Sequence, residues 1–157
     1  MATPIKRSEH IVQLSKEHHF SLLFCWKIKT GLKKEVEISR IVNYINYFWK
    51  DHLLPHFQEE DVLFSAVDNV LVQRAYHEHR EINDTIRSLE SSDPERATAL
   101  VFKIADLVDK HVRFEERELF PYLESAIAEP KLIEIGKKIK DLQPEFTQDL
   151  FTDEFWR

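Results

Sequence analysis

Glycine is almost absent from this chain, with two residues in 157. All-β folds usually need more glycine, because several tight turns require a positive φ angle. Most of the other residues are compatible with helices, so the composition favours an all-α protein. The length suits a single domain with one core. We therefore predict one domain over residues 1–157, with a bundle at about 7–127 and a helix and tail at 130–157.

Cysteine, long apolar runs and excess positive charge are also missing. Cys25 is the single cysteine, so no intramolecular disulfide can form, which fits the cytoplasm. Residues 1–9 lack the apolar stretch of a signal peptide, and no segment approaches the roughly 18 apolar residues of a membrane span. The net charge of −6 argues against a nucleic-acid binder. We expect a cytoplasmic protein with neither a membrane nor a nucleic acid as partner.

Apolar residues recur with a helical period in four long stretches, at about 7–30, 35–67, 69–89 and 94–126. Gly31 is predicted to end the first helix, and Asp93 and Pro94 to begin the fourth. Pro55 lies inside the second stretch, where we expect a kink and no break because the period continues past it. Short connections between long helices predict an up-down-up-down four-helix bundle.

A shorter helix is predicted at about 131–143, followed by an aromatic tail at 144–157. The tail contains the apolar residues Phe146, Leu150, Phe151, Phe155 and Trp156. We predict that so aromatic a terminus docks on the bundle. A partner-binding peptide is the alternative.

Histidine is abundant, with eight residues, and two helices carry the pattern His-x-x-x-Glu. One copy is His56 with Glu60, and the other is His111 with Glu115. Residues four apart lie on the same helix face, one turn from each other. An imidazole nitrogen and a carboxylate at this spacing can bind one metal ion, or two adjacent ions.

The other two helices each offer one histidine in a Glu-His pair. His18 and His79 lie on the apolar stripe of their helices, whereas the nearby His19 and His77 do not. The periodicity therefore predicts that His18 and His79 point inward. With the two His-x-x-x-Glu patterns, all four helices direct metal-binding side chains toward the core.

Six inward ligands are too many for one tetrahedral zinc ion, and they fit two ions that share bridging carboxylates. The predicted metal set is His18, His56, Glu60, His79, His111 and Glu115. Mixed imidazole and carboxylate ligation suits iron or manganese, with zinc as a possible substitute. Two cations would also offset the desolvation of the buried carboxylates. The alternative is a bundle without metal, in which these groups are hydrogen-bonded core residues.

The roles of two further residues, His52 and Glu59, are left open by the sequence pattern. His52 lies one turn before His56 and is either a seventh ligand, a contact to a ligand, or part of the wall. Glu59 is an alternative ligand to its neighbour Glu60.

The segments at 14–18, 52–60, 78–82 and 111–121 together resemble the hemerythrin-like, or HHE cation-binding, domain. The resemblance implies a four-helix bundle with an oxo- or hydroxo-bridged di-iron centre. It implies the same six ligands, with Glu60 and Glu115 as bridging carboxylates. Oxygen-carrying hemerythrins use His-x-x-x-His on the third helix, but Ala75 and Asn83 flank His79 here. The chain is therefore more similar to the bacterial and regulatory branch.

The resemblance implies binding of dioxygen, nitric oxide or peroxide at the metal centre for sensing, scavenging or iron handling. One alternative is a di-iron enzyme that reduces peroxide or oxidises iron. Ferritin-like oxidases use four glutamates and two Glu-x-x-His patterns, and this chain has no such pair among its inward residues. The other alternative is an iron–sulfur repair or partner-binding protein, for which the aromatic tail is the one favourable feature.

Overall fold

The computed structural model describes residues 6–142 and 148–157. All regular structure in these ranges is helical, and none of the helices is long and apolar enough to cross a bilayer. In chain order the helices are α1 (Val12–Lys33), α2 (Ile38–Phe48), α3 (Leu54–Phe64), α4 (Val70–Arg87), α5 (Pro94–Phe114), α6 (Phe120–Ala126) and α7 (Glu129–Leu142). The structure is a helical bundle, so the predicted all-α class is confirmed.

The first helix differs from its prediction at both ends. It begins at Val12 and continues through Gly31 to Lys33. The left-handed backbone angle follows at Glu35, with φ of 56°. The prediction that Gly31 ends the helix is therefore wrong. A Cβ atom at Gly31 would lie 2.7 Å from the ring of Phe155, so close packing is what requires glycine there.

Two π-helical turns lengthen the second and fourth helical rods without breaking them. Trp49–Leu53 joins α2 to α3, and Glu115–Leu119 joins α5 to α6. Each turn directly precedes a Leu-Pro or Phe-Pro step, at Pro55 and Pro121. Proline has no N–H for the residue four positions back, and the wider turn rearranges the hydrogen bonds around it. The prediction that the second helix continues past its proline is confirmed.

Side-chain caps set the starts of α4 and α5. The Asn69 side chain accepts a hydrogen bond from the Leu71 N–H at 2.8 Å. Asp93 accepts one from the Arg96 N–H at 2.8 Å, and Pro94 is the first helical residue, as predicted. A 3₁₀ turn, Ser88–Ser91, ends the α4 region. The last helix starts two residues before its predicted start, and its predicted end at 143 lies outside the described residues.

Two apolar clusters fill the bundle. The first includes Phe24, Ile28, Tyr44, Phe48, Ile86 and Ile104. The second includes Leu14, Phe64, Val72, Phe120, Leu123 and Ile135. The metal-binding side chains predicted from the sequence lie in the polar band between these clusters. On α1, for example, His18 falls between Leu14 of the second cluster and Phe24 of the first.

The C-terminal residues that the structure describes contact the first cluster. Phe155 is 2% exposed, and its ring centre lies 5.5 Å from that of Tyr44. Lys27 Nζ lies 3.1 Å from Asp149 Oδ2, and the Tyr44 hydroxyl donates to the same oxygen. These contacts hold residues 149–155 beside α1 and α2. Phe146, which the predicted tail also includes, lies outside the described residues.

Candidate metal centre

The six residues of the predicted metal set converge from α1, α3, α4 and α5 with its following π turn. They form two groups, and within each group the possible ligand atoms all lie within 4.8 Å of one another. The groups are His18, His56, Glu60 and Glu115, and Glu60, His79, His111 and Glu115. Both glutamates belong to both groups, so each is placed between two pairs of histidines.

The two oxygens of Glu60 face different histidines. Glu60 Oε2 lies 3.3 Å from His18 Nε2 and 3.2 Å from His56 Nε2. Its other oxygen, Oε1, lies 3.0 Å from His79 Nε2. One carboxylate therefore reaches both histidine pairs, which is the geometry needed to bridge two ions.

Glu115 occupies the matching position on the opposite side. Its Oε1 lies 3.0 Å from His18 Nε2 and 3.2 Å from His111 Nε2. Its Oε2 lies 3.7 Å from His79 Nε2. All four histidines thus present the same ring nitrogen, Nε2, to the two central carboxylates.

Carboxylates on neighbouring helices orient two of these rings by contacting Nδ1, the ring nitrogen that faces away from the centre. His56 Nδ1 lies 2.8 Å from Glu17 Oε1, and His111 Nδ1 lies 2.7 Å from Glu78 Oε1. A carboxylate that accepts the Nδ1 proton orients the ring and leaves Nε2 as the nitrogen that a metal ion can bind once its own proton is released. The Glu-His pairs seen in the sequence therefore serve two purposes. Each histidine faces the centre, while the preceding glutamate orients the histidine of another helix.

Glu116 orients the histidine of the first helix, His18, in the same way. Its Oε2 lies 2.8 Å from His18 Nδ1, and the Ser15 hydroxyl donates to that oxygen at 2.7 Å. Arg7 Nη2 lies 3.5 Å from the other oxygen of the same carboxylate. The orienting roles of Glu17 and Glu78 were not predicted from the sequence. The available signal was their position directly beside a predicted ligand, about 100° round the helix.

The centre is buried, and much of its polar surface has no hydrogen-bond partner. All six residues are at most 8% exposed. Among the described residues, the buried atoms without a hydrogen bond include His56 Nε2, both oxygens of Glu60, His79 Nε2, His111 Nε2 and Glu115 Oε2. Buried polar groups are nearly always satisfied, because an unpaired one costs about 1–3 kcal/mol. The residues therefore fit a cation, which would satisfy all of these atoms together.

Electrostatics couple the carboxylates to the imidazoles. Burial opposes charge on Glu60, but His56, His18 and the other imidazoles outweigh it and hold the pKa of this carboxyl well below its ordinary value. Burial and Glu60 both disfavour ionisation of Glu115, yet His111 and His18 lower its pKa to about 2. The centre therefore holds two ionised carboxylates throughout the physiological pH range.

The pKa values of His18, His56 and His111 shift in the opposite direction, upward. Burial lowers the pKa of His56, but Glu60 and Glu17 outweigh burial and raise it to about 10. The pKa of His111 rises to about 9 because Glu115 and Glu78 outweigh burial in the same way. Without a cation, protonated imidazoles balance the carboxylates. Metal binding must therefore displace these protons.

The two residues left open by the sequence lie outside both groups. The Tyr47 hydroxyl lies 3.0 Å from His52 Nε2. Glu59 is fully buried and accepts a hydrogen bond from Gln13 Nε2 at 2.9 Å. Neither residue is among the groups that converge on the centre. Of the two adjacent glutamates, the structure therefore brings Glu60 to the histidines.

The inward and outward histidines separate as the periodicity predicts. His18 is 2% exposed and His79 8% exposed, while their neighbours His19 and His77 are on the surface. An offset of one or two residues, about 100° or 200° round the helix, thus decides which histidine can reach the centre.

A helical bundle that gathers four histidines and two glutamates in its core defines a class of protein whose core is suited to cations. The model of the hemerythrin HHE cation-binding domain matches residues 11–123. This chain belongs to that family, which confirms the resemblance identified from the sequence. Neither the curated proteins nor the solved structures include a significant match to it.

Proposed function

We propose that this protein is a non-haem di-iron protein that binds dioxygen, nitric oxide or peroxide at its metal centre. The biological purpose would be sensing, scavenging or iron handling. One observation carries the proposal: buried donor atoms without hydrogen-bond partners converge in two groups that share two carboxylates. His18 and His56 would hold one ion, and His79 and His111 the other. Glu60 and Glu115 would bridge them.

The donor count leaves room for a small ligand. Each group offers four residues with one ligand atom each. Iron with nitrogen and oxygen donors commonly takes about six ligands, so about two positions per ion remain. Manganese or zinc can substitute, because similar donor sets accept several divalent ions. When bound, the iron pair would supply redox chemistry and binding sites for diatomic molecules or peroxide.

The chain's own residues position and shield the centre. Glu17, Glu78 and Glu116 hold three imidazoles in the orientation that directs Nε2 inward. Apolar rings cover two imidazoles, since Phe57 stacks on His79 at 3.8 Å and Phe120 stacks on His18 at 5.3 Å. Such packing limits the access of water and strengthens electrostatic interactions within the site.

Several features of the fold form part of the proposal. An alternating up-down-up-down course is supported by the order in which successive helices contact the two apolar clusters. Along the chain, α1 contacts the second cluster before the first, whereas α2 begins in the first cluster. A docked aromatic tail is supported by the burial of Phe155. A single domain over residues 1–157 and a cytoplasmic location complete it.

Metal analysis tests the proposal directly. The protein is purified without added metal, its metal content is measured by mass spectrometry, and an ultraviolet–visible spectrum is recorded on the same sample. We expect about two iron ions per chain and near-ultraviolet absorption typical of bridged ferric ions.

Two adjacent histidines on α1 provide the matched control. His18→Ala should lose iron, whereas His19→Ala should retain it because His19 is on the surface. Absence of iron from the wild type, even after anaerobic iron loading, would refute the proposal. Equal iron content in the two variants would refute the role of His18.

A further inference from the structure

The four imidazoles of the centre are not held alike. Three of them have Nδ1 within 2.7 to 2.8 Å of a carboxylate oxygen. These pairs are His18 with Glu116, His56 with Glu17, and His111 with Glu78. Within residues 6–142 and 148–157, no carboxylate makes a comparable contact with Nδ1 of His79. That ring instead stacks on Phe57, with 3.8 Å between ring centres.

His79 is also the imidazole nearest to solvent. Its side chain is 9% exposed, compared with 3%, 2% and 1% for His18, His56 and His111. Its Nε2 is buried, so the exposed surface belongs to the rest of the side chain. The outer side of His79 therefore opens away from the centre.

A surface pocket of about 230 Å³ lies on that side. Trp49, Leu54, Phe57 and Tyr76 line it together with His79. These residues come from the π turn before α3, from α3 and from α4. None of the other five residues of the metal set lines this pocket. The pocket thus opens to solvent beside the Phe57–His79 stack, which makes this the least shielded side of the centre.

We propose that the two metal positions are unequal, and that the position between His79 and His111 exchanges its ion through this pocket. This inference rests on the proposed two-ion function and specifies how the two metal positions differ. A carboxylate behind an imidazole strengthens metal binding, and its removal typically lowers affinity by about 10- to 100-fold. The shared Glu60 and Glu115 contribute to both positions, so the histidine partners decide the difference.

Release of Co²⁺ measures this inequality without any assay of activity. The protein is loaded with two Co²⁺ ions, verified by mass spectrometry, and mixed with an excess of chelator while the Co²⁺ absorption is followed. We expect two phases of one ion each, with the fast phase at least about tenfold faster than the slow one.

Two conservative substitutions assign the phases. Glu78→Gln removes the partner of His111 and should accelerate only the fast phase. Glu17→Gln removes the partner of His56 and should accelerate only the slow phase. Two ions leaving at one rate, or a fast phase that responds to Glu17→Gln, would overturn the inference and leave the proposed function standing. Binding of fewer than two ions would overturn both.

The pocket is tested by filling it. Leu54 is 36% exposed in the pocket wall, and Leu54→Trp should slow the fast phase several-fold. Val70 is 77% exposed on α4 and does not line the pocket, so Val70→Trp is the matched control. An unchanged fast phase in Leu54→Trp, with two ions still bound, would overturn the role of the pocket in exchange.

Discussion

Two of the sites where this protein buries charge balance that charge differently. Near the C-terminus, Asp149 Oδ2 lies 3.1 Å from Lys27 Nζ and accepts a hydrogen bond from the Tyr44 hydroxyl. The Lys27 and Asp149 side chains are only 9% and 6% exposed. Lys27 also lies over the Trp156 ring, 4.1 Å from its centre. A permanent cation of the protein therefore neutralises this carboxylate.

At the metal centre, Glu60 and Glu115 have no such partner. Among the described residues, neither carboxylate forms a salt bridge with a lysine or arginine, and their neighbours in the centre are histidines. An imidazole can either carry a proton or release it and bind a metal ion. The type of cationic partner, more than burial itself, therefore separates a structural ion pair from a centre suited to metal.

The largest expected effect is on metal binding, and it comes from a change at Glu60, one of the two central carboxylates. Glu60→Gln should abolish binding of both ions, because Glu60 reaches both histidine pairs, and we expect a loss of affinity above about 100-fold. Glu59→Gln is the matched control, since Glu59 is equally buried but belongs to neither group. Metal content by mass spectrometry gives the readout. Retention of two ions by Glu60→Gln would contradict a bridging role.

The next largest expected effect is a loss of stability in the region of Lys27 and Asp149. Lys27→Met leaves Asp149 buried without its cation, and breaking a buried pair in this way costs about 3–5 kcal/mol of stability. Metal content should be unchanged, because Lys27 does not contact the centre. Urea unfolding measures the loss, with the exposed Lys29→Met as control. If Lys27→Met also lost its metal, the two regions would be coupled and the contrast between them would fail.

Proton competition should give the metal centre a pH dependence. The folded-state pKa of His56 is about 10 and that of His111 about 9, both above the ordinary value of 6.5. Metal affinity should therefore rise between pH 6 and 9, by up to about tenfold per pH unit for each displaced proton. Competition with a chelator of known pH dependence measures this change. An affinity independent of pH would mean that the imidazoles do not release protons to the metal.

Stability of the metal-free protein should show the opposite trend. A raised histidine pKa stabilises the fold below the unfolded value and loses that contribution as pH passes through the folded value. The metal-free protein should thus become less stable as pH rises from about 7 to 10. Urea unfolding at several pH values provides the measurement. A metal-free protein that gains stability over this range would contradict the raised pKa values.

The sequence was sufficient to place the six residues of the metal set on inward faces, because four-residue spacing and apolar stripes are local properties of a helix. It was not sufficient to assign Glu17 to His56, since this contact depends on how α1 is rotated against α3. Gly31 shows a similar limit. Its position after a periodic stretch suggested a helix end, whereas its actual role is set by Phe155, more than a hundred residues away in the chain.

The smallest expected effect tests that long-range contact. Gly31→Ala should improve helix propensity by about 1 kcal/mol, but its Cβ would lie 2.7 Å from the Phe155 ring. Overpacking of this kind costs about 1–3 kcal/mol, so we expect a net loss of stability of up to about 2 kcal/mol. In a Phe155→Ala background the ring is gone, and the nearest remaining atom, Ile41 Cδ1 at 3.1 Å, can move into the vacated space, so Gly31→Ala should become stabilising.

Urea unfolding of the wild type, the two single variants and the double variant measures this change of sign. A stabilising Gly31→Ala in the wild-type background would mean that Phe155 does not occupy the space beside Gly31 in solution, and the docked tail would be refuted. A reversal of sign would instead show that the C-terminal aromatic residue packs on α1. Because this contact lies among the apolar residues of the first cluster, metal content should be the same in all four proteins.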